Sequence, residues 1–122
     1  MGAFNSFEIP FEYSDADQYI RAIRFNLFRR NGEIKASAFK TNKGGVSVTR
    51  TNDQTFNYAL KYMRSRFEGN MASFPESTCC KAEIFEKHSP TEGHNLHHWE
   101  LFGNTNHEPL TEEQIDMIIQ TV

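Results

Sequence analysis

The run His88-Ser-Pro-Thr-Glu-Gly-His-Asn-Leu-His-His-Trp-Glu-Leu-Phe-Gly103 constrains this chain more than any other. It holds four of the five histidines and the only tryptophan. Its first half is turn-rich and predicts a loop. Its second half predicts a strand. Side chains alternate along a strand, so Trp99 and Leu101 point one way and His98, Glu100 and Phe102 the other. The apolar pair belongs against a core. His98 and Glu100 then stand side by side on the opposite face, as a candidate polar site.

The chain has 122 residues, enough for one domain with a modest core and too few for two ordinary ones. A single domain over residues 1–122 is therefore expected. Eleven phenylalanines predict a largely aromatic core. A net charge of -3 gives no global reason to expect nucleic acid or an acidic membrane as partner. No apolar run approaches the ~20 residues of a membrane span. Met1-Gly-Ala-Phe-Asn5 lacks the regions of a secretion signal. Ser6 after Met-Gly matches a myristoylation pattern short enough to arise by chance. Cys79 and Cys80 are adjacent, and neighbours in a strand rarely pair, so reduced thiols in a cytoplasmic protein are expected.

Periodicity gives the elements. Phe7 to Tyr13 reads as an edge strand, confined there by Pro10. Ser14 starts a helix with Asp17 returning the cap. Ala16, Ile20, Ile23 and Leu27 continue it, and Asn31-Gly32 ends it. The same stretch also reads as a shorter helix followed by a strand at Arg24 to Phe28. Thr41 to Gly45 is a glycine loop. It is not a phosphate loop, since no Lys-Ser/Thr pair or helix follows it. Val46 to Arg50 is a strand with its valines inward and Ser47 and Thr49 outward. Thr51, Asn52 or Asp53 caps the next helix, whose stripe is Phe56, Leu60, Met63 and Phe67 and which Gly69-Asn70 ends. Lys61, Arg64 and Arg66 form its solvated side. Met71 to Ser77 reads as an irregular link, and Thr78 to Lys87 as a strand pairing antiparallel with the one at His98. Thr111 and Gln114 form a capping box for the last helix. Leu110 and Ile115 supply its staple, and Ile115, Ile118, Ile119 and Val122 its apolar face. The expected fold is α+β, with a small, mainly antiparallel sheet packed by about three helices.

Three constellations carry chemistry. His94, His97, His98 and His88 are metal-ligand types, but His97 and His98 face opposite ways in a strand. No metal and no other cofactor is therefore expected there. His98 beside Glu100 suits acid–base work on a phosphodiester or glycosidic bond, with Glu100 orienting the histidine or pairing with Arg50. The same groups can instead bind without catalysing. Arg21 and Arg24 lie three apart on the predicted helix, either as a solvated stripe or as a clamp for an anion.

Ala38-Phe39, Gly45-Val-Ser-Val-Thr-Arg50, Pro90 and Asn95-x-x-His98-x-Glu100-Leu-x-Gly103 together resemble a pattern in a family of small uncharacterised bacterial proteins. That pattern reads Ala-Phe, Leu-Ser-Val-x-Arg, then Asn-Pro-x-His-x-Glu-Ile-x-Gly. Leu96 stands where the pattern has proline. The resemblance implies that Ser47, Arg50, Asn95, His98 and Glu100 converge, and it brings no activity. It associates the chain with bacterial accessory or defence cassettes. The resulting expectation is a cytoplasmic accessory protein that binds an anionic, nucleotide-like ligand. Arg24, Ser47, Arg50, Asn95 and His88 would be its binding residues. In the enzymatic alternative His98 and Glu100 are catalytic and the substrate is a nucleotide or phosphodiester. A third reading is a protein-interaction module whose partner covers the histidine loop.

Overall fold

The computed structural model describes residues 17–41, 44–51, 55–91 and 93–122. The edge strand expected at Phe7 to Tyr13, Ser14 with its first helical turn, and the caps Asn52 and Asp53 lie outside them. The described chain forms one five-stranded sheet: β1 Gln18–Ile23, β2 Val46–Arg50, β3 Asn70–Pro75, β4 Phe85–His88 and β5 His98–Phe102. Strand order is β3-β1-β2-β5-β4, and every neighbouring pair is antiparallel. The helices are α1 Phe56–Arg66, α2 Glu76–Lys81 and α3 Glu112–Thr121. The α+β expectation holds, though the three helices are not the three the periodicity suggested.

Residues 18–23 form β1 and not a helix. Tyr19 and Ile23 are buried in the main core, and Ile20 in a smaller cluster with Ala59 and Met63 of α1. A central strand buried on both faces loses its alternation and mimics a helical stripe. All six residues of β1 pair with β3, which outweighs local helical preference. Past Ile23 the chain makes a short 3-10 turn at Phe25–Leu27, in place of the strand weighed at Arg24 to Phe28.

Residues 70–75, expected as an irregular link, form the edge strand β3, which closes on Pro75. The strand expected from Thr78 to Lys87 divides. Its first part is α2, where Thr78 and Cys79 are buried. Glu83 then turns the chain at φ 56, and β4 follows.

Core packing follows the two sheet faces. Val46, Val48 and Leu101 meet Phe39, Phe74, Ile115 and Ile118 on one side. Helix α1 covers the other side, where Thr49 is buried and not outward, its hydroxyl 3.1 Å from the Met63 sulfur. The α1 cap is Thr55, accepting from the Tyr58 amide, while buried Thr51 accepts from the Gln18 amide. Phe67, assigned to the buried stripe, is 50% exposed. The capping box at Thr111 and Gln114 forms as expected, worth about 1 kcal/mol. Ile115 and Ile118 fill the core, and Val122 is exposed.

Candidate functional site

Register decides which polar groups meet. Thr49 lies opposite His98 and Ser47 opposite Glu100, so these four share the α1 face. Tyr19 lies opposite Arg50, and His88 opposite Trp99, on the other face. The sheet therefore separates Arg50 and His88 from Ser47, His98 and Glu100. The expected convergence on one pocket does not form.

On the core-side face Arg50 is fully committed. Its Nε and one terminal nitrogen bind the Asp17 carboxylate at 2.6–3.2 Å, and its other terminal nitrogen lies 3.8 Å from Glu86. The guanidinium also packs over Trp99 at 4.4 Å and Tyr19 at 5.4 Å. Tyr19 donates its hydroxyl proton to Glu86. Burial first, and then Glu86, push the tyrosine hydroxyl well above its ordinary pKa. Burial pushes the Glu86 carboxyl up to about 7, and neighbouring Glu76 adds to this while Tyr19 and Arg50 oppose it. His88 stacks on Trp99 at 4.8 Å and donates from Nε2 to the Leu96 carbonyl at 2.8 Å. Arg50 and His88 thus hold the fold together and leave little for a ligand.

The α1 face carries a small cleft of about 140 Å³, lined in part by Ser47, Thr49, Asn95 and His98. Asn95 pins the histidine loop. Its amide donates to Thr49 at 3.0 Å and its carbonyl accepts from the His97 amide. His98 Nδ1 lies 2.7 Å from the Ser89 carbonyl oxygen. A carbonyl only accepts, so Nδ1 carries the hydrogen and Nε2 is the basic nitrogen. Glu100 is therefore not the partner that orients His98, and Arg50 is out of its reach across the sheet. Glu100 packs instead beside Gly45, where an added Cβ would lie 2.7 Å from its own. Arg21, which also lines this cleft, donates to the Ala38 and Ser47 carbonyls at 3.0 and 2.7 Å, and burial lowers its pKa.

A larger cleft of about 580 Å³ adjoins the small one, with Ala22 and Phe67 lining both. Arg24 and Phe25 stand on one side, and Arg66 and Phe67 on the other. Gly69 lets the two sides approach: at φ 104, any Cβ would lie 2.3 Å from the Ile23 carbonyl oxygen. Phe25 is 69% exposed. Arg66 is oriented by Tyr62, 5.6 Å beneath it, and by His94 Nδ1 at 3.5 Å. Arg24 was singled out from the sequence. Arg66, Phe25 and Phe67 were missed: an arginine in a helix's last turn reads as solvated, Phe67 at helical spacing reads as core, and Phe25 falls outside the apolar stripe of its stretch.

Among the described residues the histidine nitrogens do not come together in a group of three potential ligands, whereas one ligand atom each of Glu76, Cys80 and Glu86 lies within 4.8 Å of the other two. No helix among them is long and apolar enough to cross a membrane. No family model matches this chain, and comparisons with curated proteins and with solved structures give no match.

Proposed function

We propose that this chain is a small accessory protein that binds an anionic, nucleotide-like ligand in the larger cleft. The carrying observation is the pairing of exposed Arg24 and Arg66 with exposed Phe25 and Phe67 around one concavity. Guanidinium groups fit phosphate oxygens in pairs, and aromatic rings stack on flat bases. Small-molecule sites run to about 300–1,000 Å³, a range that contains this cleft. Glu68 on the rim offers an acceptor for a base or a ribose hydroxyl. The bacterial accessory or defence setting rests on the motif resemblance, and a cytoplasmic location goes with that reading.

Calorimetric titration with mononucleotides, cyclic nucleotides, dinucleotides, NAD and short single-stranded RNA tests the proposal. At least one class binds, and Arg24→Ala and Arg66→Ala each weaken it by about tenfold, the worth of one charge-assisted hydrogen bond. Binding that the double variant leaves unchanged, or no binding across the panel, defeats the reading.

A catalytic reading draws support from the shared wall of the two clefts. A ligand seated between the arginines extends past Phe67 toward His98, whose basic Nε2 suits proton transfer. Phosphodiester turnover that disappears in His98→Ala, with ligand affinity retained, supports it. Wild-type binding without turnover leaves a pure binder.

A further inference from the structure

A second cluster, at the junction of α2 and β4, is used by neither cleft. Glu76 and Cys80 stand four apart on α2 and so share one side of that helix. The turn at Ala82 and Glu83 returns the chain along the sheet edge and brings Glu86 of β4 to them. One ligand atom from each residue, two carboxylate oxygens and the Cys80 sulfur, lies within 4.8 Å of the other two. Tetrahedral zinc, with bonds of about 2.0–2.3 Å, spaces its donors roughly 3.4–3.7 Å apart. A shift of about one ångström in side-chain position therefore closes the set.

We propose that Glu76, Cys80 and Glu86 bind a divalent cation of the zinc class. The donor set selects the metal. Magnesium and calcium take oxygen ligands alone, whereas one thiolate with carboxylates suits zinc and its softer neighbours. One feature outside the donor set supports the site. Tyr19 is fully buried and donates a hydrogen bond from its hydroxyl to Glu86, as a metal-bound carboxylate is commonly held by an outer hydrogen bond. Access is open, since Cys80 is exposed and both glutamates are half-buried. As the metal binds, the Cys80 thiol gives up the proton it directs at the Glu76 carboxylate, and Glu86, whose carboxyl is pushed up to about 7, gives up its own where it is protonated; both protons pass to solvent. The thiolate and two carboxylates then carry three negative charges against the metal's two positive ones, and water completes the coordination.

Cobalt(II) is the probe, added to the full chain and followed by absorption. The expected result is a thiolate-to-cobalt charge-transfer band in the near ultraviolet that saturates at equimolar metal and disappears on adding zinc. Cys80→Ser abolishes the band; the residue is exposed, and a circular dichroism melt verifies that the variant is folded. Tyr19→Phe, which keeps the ring and removes the hydroxyl, weakens cobalt binding roughly 10–100-fold. The band persists in the His94→Ala and His98→Ala variants. The site is refuted by the absence of a thiolate band at saturating cobalt, by a band that survives Cys80→Ser, or by one that the histidine variants remove. None of these outcomes bears on the nucleotide cleft.

Discussion

On the core-side face of the sheet, Arg50 is gripped by Asp17 and leans on Tyr19 and Trp99. Just past the end of β1, Arg24 stands exposed beside Phe25. The side chains are identical and their surroundings are opposite. A guanidinium withdrawn from water must find carboxylates and ring faces, and those partners occupy the donors a ligand would need. An exposed one keeps its donors and adds little to the fold. Whether an arginine binds or braces is decided by what the strand register brings beside it.

The largest effect that tests this contrast is on stability. Arg50→Ala leaves the Asp17 and Glu86 carboxylates without their cation and strips a contact from Trp99. Both carboxylates retain some solvent, so the expected loss is about 2–4 kcal/mol, below that of a fully buried pair. Urea denaturation measures it. A loss below about 0.5 kcal/mol, the range of an ordinary surface change, would mean that Arg50 braces nothing and that the contrast fails.

Sequence made some of this visible. The alternation at His98–Phe102 and at Val46–Arg50 placed both strands, and Thr111 with Gln114 placed α3, because each signal is local. The antiparallel β4–β5 pair followed from proximity in the chain. Residues 18–23 misled because a strand buried on both faces carries no alternation to read. Residues 78–84 misled because Cys80, Ala82 and Ile84 alternate by coincidence across a helix end and a turn, while the remainder of that expected strand forms β4. The expected convergence failed for a related reason. Ser47, Arg50, His98 and Glu100 all lie on β2 and β5, as the motifs suggested, but parity along β2 puts Arg50 on the face away from the other three. Asp17, the partner that claims Arg50, had been assigned to a helix cap.

A middle-sized effect belongs to the histidine loop. It owes its seat to Asn95, which reaches Thr49 on β2 and the amide of His97. Asn95→Ala removes both bonds and takes from the buried Thr49 hydroxyl oxygen the amide that donates to it, while its contact with the Met63 sulfur remains. The expected cost is about 1–2 kcal/mol. Amide exchange quickens over residues 93–97 and stays slow in β1 and β3, since local opening draws on local bonds. Uniform quickening through the sheet would show that Asn95 supports the whole fold and not the loop.

The smallest expected effects lie where side chains stand free of the brace. Arg24→Ala changes stability by less than about 0.5 kcal/mol, by the same urea assay, while weakening the ligand. A loss of 2 kcal/mol or more would make Arg24 a brace like Arg50 and erase the distinction between them.

Glu100→Gln is the finest test, because it asks whether the polar residues of the α1 face act together. Glu100 lies opposite Ser47 and Lys87 in the two ladders, and its Cβ packs against Gly45. Glutamine keeps that shape, so the packing survives. What is lost is attraction toward Lys87 across the strands, worth roughly 0.2–1 kcal/mol for an opposite-charge pair and less with added salt. His98 is anchored separately by the Ser89 carbonyl and keeps its place. Urea midpoints at low and high salt, with NMR spectra of the His98 ring, give the answer. A salt-independent loss above about 1.5 kcal/mol, or a displaced His98 ring, would show that Glu100 and His98 form one unit after all. The small cleft would then have a brace of its own.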